Sequence, residues 1–136
     1  NKCKLSNIAT GIKVIGMIQK LLENGSMRKN NIVIIDEPEV HLHPEWQVFF
    51  VELMILIHKE MNVKFYINTH SPYIIESLQV YSKLYKDVNI NYYLAEKEGN
   101  QSKISEVKEK DIKKIYNSLS EPYEILDDLV MHNNTV

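Results

Sequence analysis

The 136-residue chain is long enough for one domain with a buried core, and its 44% hydrophobic and 25% charged residues are typical of a globular protein. Its 16 basic and 18 acidic side chains give a net charge of -2, which argues against a wholly basic surface for nucleic acid or anionic lipid. No apolar run approaches the roughly 20 residues that span a bilayer, so no membrane segment is expected. The single cysteine, Cys3, cannot form an internal disulfide and favours a reducing compartment such as the cytoplasm.

The first part of the chain alternates between helix and strand patterns. Isoleucine and leucine recur at spacings of three and four over residues 12–22, which predicts a helix with one packed face that ends near Gly25. Four β-branched residues follow at 32–35, and an unbroken run of this kind predicts a strand that is buried on both faces. An apolar stripe over residues 45–60 predicts a second helix.

A second strand and a third helix come next. Residues 63–69, VKFYINT, are rich in aromatic and β-branched side chains and predict a strand. Ser71 can cap a helix and Pro72 suits a first helical position, so a third helix is expected to start here. The order of these elements predicts an α/β fold, with a mainly parallel sheet and crossover helices.

The last third of the chain has a different pattern. Polar and apolar residues alternate in NYYLAE, residues 91–96, and in SKISEV, residues 102–107. The two segments flank a Gly-Asn loop and predict an antiparallel hairpin. Apolar residues at helical spacing then predict one short helix over 112–119 and another over 125–130.

Both strands of the predicted sheet end in charged or polar residues, at the edge where ligands bind in open α/β sheets. Asp36 and Glu37 follow the first strand, and Thr69, His70 and Ser71 follow the second. If the strands are neighbours, the acid pair and the histidine face one crevice. These groups suit phosphoryl transfer to water, because one carboxylate can hold Mg²⁺, another can polarise the water, and a histidine can donate to the γ-phosphate.

Three segments carry a resemblance to a known family. IVIIDEP resembles the Walker B strand of ATP-binding cassette (ABC) ATPases, and INTHSP resembles their switch-histidine strand. The longer form DEPEVHLHPEWQ is similar to the RecF, SMC and OLD-like branch of these AAA-type ATPases, and NIATGIK is similar to that branch's signature segment. The resemblance implies a P-loop NTPase fold of the ABC type. It also implies that residues 1–136 are the C-terminal part of one such domain, with a nucleotide-site core over 5–85 and a C-terminal hairpin and helices over 86–136.

Carried over to this sequence, the resemblance implies a role for each motif residue. Asp36 would hold Mg²⁺, and Glu37 would be the general base for the attacking water. His70 would sense the γ-phosphate. His43 would lie in the D-loop, which crosses a dimer interface.

The signature segment implies the remaining nucleotide-binding residues. Thr10 and Gly11 would touch the γ-phosphate of the opposite protomer, at a helix start where backbone N–H groups favour an anion. Lys13, in the same segment, is also expected to bind the nucleotide. The usual signature has Ser followed by two Gly, whereas Ile12 follows Gly11 here, so Ser6 is an alternative for the signature hydroxyl.

The phosphate-binding loop of such an ATPase does not occur in this sequence. That loop reads G-x-x-x-x-G-K-[ST], and none of the four glycines is followed by Lys-Ser or Lys-Thr. The sequence also begins with Asn1 rather than Met. We therefore expect it to be the carboxyl-terminal part of an ATPase that is active when joined to its P-loop portion, and we expect the isolated chain to be inactive.

The expected function is ATP hydrolysis, with ATP and Mg²⁺ as cofactors, by a homodimer whose closure controls DNA or a partner effector such as a defence nuclease. Two alternatives are open. The first is a non-catalytic dimerisation module of the same fold. The second is a metal-dependent hydrolase or nuclease, with a metal held by members of the set His41, His43, Asp36, Glu39 and His70.

Overall fold

The computed structural model describes residues 2–40, 42–99, 101–120, 126 and 129, and its description of side chains begins at Gly11. The chain forms two compact units, Asn1–Val88 and Asn89–Val136.

The first unit is a βαβ arrangement preceded and followed by a helix. Helix α1 spans Lys2–Glu23, strand β1 Ile32–Asp36, helix α2 Pro44–Met61, strand β2 Lys64–Asn68 and helix α3 Pro72–Leu84. Strands β1 and β2 pair in parallel, with Ile32 opposite Lys64 and Asp36 opposite Asn68. The predicted parallel pairing with a helical crossover is therefore confirmed, as a two-stranded sheet.

Local sequence signals set the limits of α2 and α3. Helix α2 has proline in its first turn, and its C-cap Asn62 adopts the left-handed conformation at φ 51°, which asparagine tolerates well. Helix α3 begins at Pro72, and the Ser71 hydroxyl accepts hydrogen bonds from the backbone N–H groups of Tyr73 and Ile74. Ser71 is therefore the N-cap that the sequence predicts.

The core of the first unit lies around α2 and α3, which pack against each other. Val51 of α2, Val63 before β2 and Ile74 of α3 are fully buried. Apolar positions of the α2 stripe, including Phe50 and Met54, are buried with them.

The prediction that β1 is buried on both faces is wrong. Ile32 and Ile34 are 69% and 75% exposed, and they share their open face with Tyr66 of β2. The side chains that alternate with them are partly buried, so the described elements cover one face of the sheet. An unbroken β-branched run reports strand propensity as well as burial, and here the two differ.

The expected helix start at the signature segment is also wrong. Helix α1 begins at Lys2, so Thr10 and Gly11 lie about two turns inside it. The preceding residues, KCKLSNIA, contain no proline or glycine that would stop the helix from extending through them. Backbone N–H groups at positions 10 and 11 belong to the interior of the helix, so the expected free N–H groups of a helix start are not available there.

Gly11 allows a close approach between α1 and α2. A Cβ atom placed at Gly11 would lie 2.2 Å from Cδ2 of the Trp46 indole. Gly16, one and a half turns further along α1, has open space at the equivalent position. Gly11 therefore has a packing role in this fold, whatever its part in nucleotide binding.

The second unit begins with a hairpin. Strand β3, Tyr92–Glu98, pairs antiparallel with β4, Gln101–Val107, and Gly99 adopts φ 64° between them. A 3₁₀ turn at Glu109–Asp111 and a helix over 113–120, α4, follow. Val107, Ile112 and Ile115 are buried in this unit. The further helix predicted over 125–130 falls mostly outside the described residues.

Across the described residues, no helix has the length and apolar character needed to cross a membrane.

We predict opposite effects for the same substitution at the two glycines of α1. Gly11→Ala should lower the free energy of unfolding by about 1 to 3 kcal/mol, because the new methyl group overlaps the Trp46 ring. Gly16→Ala should raise it by about 0.5 to 1 kcal/mol, because alanine is the better helix former and nothing obstructs it. Urea denaturation of the two variants beside wild type measures both. Equal effects at the two positions would contradict the packing role of Gly11.

Candidate functional site

The candidate site lies at the carboxyl ends of β1 and β2. Asp36 is the last residue of β1 and is paired in the sheet with Asn68, the last residue of β2. The Asn68 side-chain amide donates a 2.7 Å hydrogen bond to Oδ1 of Asp36. Both residues are exposed. The amide therefore orients the Asp36 carboxylate at the surface while leaving it open to a ligand.

Glu37 turns the chain sharply at the end of β1. Its backbone is in the left-handed region at φ 45°, and its N–H donates to the carbonyl of Asn68 at 2.8 Å. That conformation costs a non-glycine residue roughly 1 to 2 kcal/mol. Strained backbone of this kind clusters at functional sites, which singles out Glu37 among the acidic residues that the structure describes.

His70 meets two carboxylates that come from the other strand end. Its Nδ1 atom lies 3.5 Å from Oε1 of Glu37 and 3.2 Å from Oε1 of Glu39. The sequence predicts a shared crevice only if the two strands are neighbours, and β1 and β2 are neighbours. Glu37 and His70 face each other across the two strand ends. The catalytic and metal-binding roles of these residues remain predictions.

Burial separates the two glutamates. The Glu37 side chain is 48% exposed and that of His70 is 65% exposed, so both are accessible to a substrate. The Glu39 side chain is only 7% exposed, and its Oε1 also accepts a 2.7 Å hydrogen bond from the backbone N–H of His70. The Glu37 carboxylate is therefore accessible to a ligand, whereas the Glu39 carboxylate is buried against His70.

Sequence reasoning missed the importance of Glu39, which it considered only as one donor of an alternative metal site. The available signal was a third carboxylate in the DEPE turn, two residues after Glu37. Most acidic residues in turns are solvated, so residue type and spacing alone do not distinguish a buried one.

A buried amide connects the turn after β1 to the start of α3. Gln47 of α2 donates from Nε2 to the carbonyl of Leu42 at 2.9 Å, and its Oε1 accepts a hydrogen bond from the Ser71 hydroxyl. Gln47 and Ser71 are both buried. Because Ser71 follows His70 directly, this network ties the position of the histidine to α2 and its preceding loop.

The other predicted nucleotide-binding residues lie elsewhere. Gly11 packs against Trp46, and Lys13 is exposed on the same helix, where neither is bonded to Asp36, Glu37 or His70. The side chain of Thr10 lies outside the described part of the chain. His43 is the N-cap residue of α2 and is exposed, with Nδ1 4.0 Å from Oε2 of Glu45.

The alternative metal-hydrolase site gains no support. Among the residues that the structure describes, no group of three or more His, Cys, Asp or Glu side chains could hold a metal ion. His41, one member of the proposed set, lies outside the described residues. A P-loop NTPase needs fewer protein ligands for its metal, because one Walker B aspartate and a phosphate-loop hydroxyl hold its Mg²⁺. The exposed, oriented carboxylate of Asp36 fits that requirement.

The segment that carries this site matches a known protein family. Residues 10–75 match the family described as an AAA ATPase domain. The match supports an AAA-type ATPase. The matched segment covers both strand ends and the crossover helix between them. The description of this family supports a P-loop NTPase fold and the binding and hydrolysis of ATP.

We predict that relief of the backbone strain at Glu37 stabilises the fold. Glu37→Gly should raise the free energy of unfolding by about 1 kcal/mol, since glycine adopts positive φ at little cost. Glu60→Gly in the last turn of α2 should instead lower it by about 0.5 to 1 kcal/mol, because that residue is helical. Urea denaturation measures both changes. A loss of stability in Glu37→Gly would show that the left-handed turn is not strained.

We also predict that the Gln47 amide is needed for stability. Gln47→Leu leaves the Ser71 hydroxyl and the Leu42 carbonyl without their partner and should cost about 1 to 3 kcal/mol. Gln19→Leu, at an exposed position of α1, should change stability by less than about 0.5 kcal/mol. Thermal unfolding of both variants tests this. A Gln47 variant as stable as the Gln19 variant would argue against the buried network.

Proposed function

We propose that this chain is the C-terminal part of an ABC-type ATPase of the RecF, SMC and OLD-like branch. The observation that carries the proposal is the meeting of Glu37 with His70, beside Asp36, at two adjacent parallel strand ends. This arrangement lies within the segment that matches the AAA ATPase domain family. The resemblance of DEPEVHLHPEWQ and NTHSP to that branch supplies the finer assignment.

The residues then divide the chemistry of ATP hydrolysis. Asp36 would hold Mg²⁺, which when bound neutralises charge on the phosphates. The Glu37 carboxylate accepts a proton from the water whose oxygen attacks the γ-phosphorus, while the bond from that phosphorus to the β–γ bridging oxygen breaks. His70 donates a hydrogen bond to a γ-phosphate oxygen as charge develops there. The exposure of Glu37 and His70 leaves both groups accessible for these roles.

A P-loop portion and a second protomer complete the proposed site. Thr10 and Lys13 would contact the γ-phosphate of the opposite protomer through their side chains, and His43 would lie at the dimer interface. Because Gly11 is inside α1 and against Trp46, the segment would contribute side-chain groups rather than free backbone amides. Thr10 and Ser6 are the candidate hydroxyls. Closure of this homodimer on ATP would control DNA or a partner effector such as a nuclease.

The experiment is phosphate release from Mg-ATP by the full-length native protein. Glu37→Gln should lower kcat by about 10² to 10⁴, the usual contribution of a general base, while equilibrium binding of ATP is kept. Glu60→Gln, an exposed residue of α2, serves as the matched control and should retain wild-type turnover.

Two outcomes would contradict the proposal. Turnover of Glu37→Gln within about threefold of wild type would remove Glu37 from the role of base. If no sample hydrolyses ATP and none binds it, a non-catalytic dimerisation module would be favoured instead.

A further inference from the structure

We infer that Glu39 is a positioning residue that orients His70, while Glu37 is left free to act on the attacking water. The catalytic part of this inference rests on the proposed function. Its structural part, that Glu39 sets the orientation and tautomer of the His70 ring, does not.

Glu39 holds His70 at two points with one oxygen. Oε1 accepts the backbone N–H of His70 at 2.7 Å and lies 3.2 Å from the ring Nδ1. A contact to the backbone alone would place the residue without fixing its ring. The two contacts together fix both the chain position at the end of β2 and the edge of the imidazole that faces inward.

The second carboxylate of the site is less suited to this task. Glu37 Oε1 is 3.5 Å from Nδ1, beyond an ordinary hydrogen bond, and its side chain is about half exposed. Glu39 has the shorter contact and a 7% exposed side chain. Its Oε2 atom is buried and has no hydrogen-bond partner among the described residues, so the carboxylate has no open face toward a substrate. Two carboxylates beside one histidine thus differ in environment, and environment assigns their roles.

The consequence concerns the ring nitrogens. When Nδ1–H donates to Glu39, Nε2 is left as the outward atom, and the doubly protonated ring can donate to Glu39 and to a phosphate oxygen at once. A ring released from Glu39 is free to rotate, and misplacement of about 1 Å at a reacting group can lower a rate by about 10²-fold.

The first test needs no nucleotide. In full-length protein labelled with ¹⁵N-histidine, the His70 signal is assigned by its loss in His70→Ala, and the tautomer of its neutral ring is read from nitrogen–proton couplings. Wild type should carry the proton on Nδ1. Glu39→Leu should shift the population to Nε2–H, whereas Glu39→Gln should retain Nδ1–H because the amide keeps an oxygen acceptor.

The outcomes of this test are decisive even where a variant does not fold. A wild-type ring with its proton on Nε2 would overturn the inference by itself. An unchanged tautomer in a folded Glu39→Leu protein would do the same.

The second test is a double-mutant cycle on ATP turnover with Glu39→Leu and His70→Ala. Glu39→Leu should lower kcat by about 10- to 100-fold with little change in KM, and Glu39→Gln should recover part of the loss. In the His70→Ala background, Glu39→Leu should have no further effect on kcat, because Glu39 acts through the histidine. Glu52→Leu, which removes a carboxylate bonded to Tyr81, is the control and should leave kcat unchanged.

Additive losses in the cycle would show that Glu39 acts independently of His70 and would overturn the inference. If no sample hydrolyses ATP, the proposed function fails, and the tautomer measurement still decides whether Glu39 orients the ring.

Discussion

The site depends on the parallel pairing of β1 with β2 in a register that ends with Asp36 opposite Asn68. A shift by one residue would turn every side chain of a strand to the other face and would separate the groups at the two ends. The observed register instead places the Asn68 amide on Asp36 and brings His70 to the turn that follows β1. The site therefore depends first on the pairing of the two strands, because that pairing brings the side chains together.

Contacts made by side chains of the turn and of α2 reinforce that register. Glu39 holds His70 from the turn, and Gln47 holds Ser71 from α2. The Gln47–Ser71 contact is buried and the Glu39–His70 contact is partly buried. Hydrogen bonds shielded from water in this way are stronger than in water, and loss of one partner is costly. The strand ends, the turn and the start of α3 thus form one connected polar unit, with Asp36, Glu37 and His70 on its exposed side.

Much of this fold could be predicted from local patterns. Helical spacing located α2, and Ser71-Pro72 marked the start of α3, because periodicity and capping are local properties. The start of α1 could not be predicted in this way, because KCKLSNIA contains neither a helix-stop signal nor a strong helix-start signal. The exposure of Ile32 and Ile34 depends on which elements cover the sheet, and a run of β-branched residues does not contain that information. The role of Glu39 depends on burial and on a partner 31 residues away, which spacing within the turn does not reveal.

We propose that Asp36, Glu37 and His70 together form the catalytic half of an ATP site. The most direct measurement is a structure of the full-length Glu37→Gln protein with Mg-ATP. We predict the γ-phosphate within hydrogen-bonding distance of His70, with Asp36 on the side of the Mg²⁺ and the residue at position 37 facing the position of the attacking water. A nucleotide bound away from the ends of β1 and β2, with His70 out of reach of any phosphate, would contradict the claim.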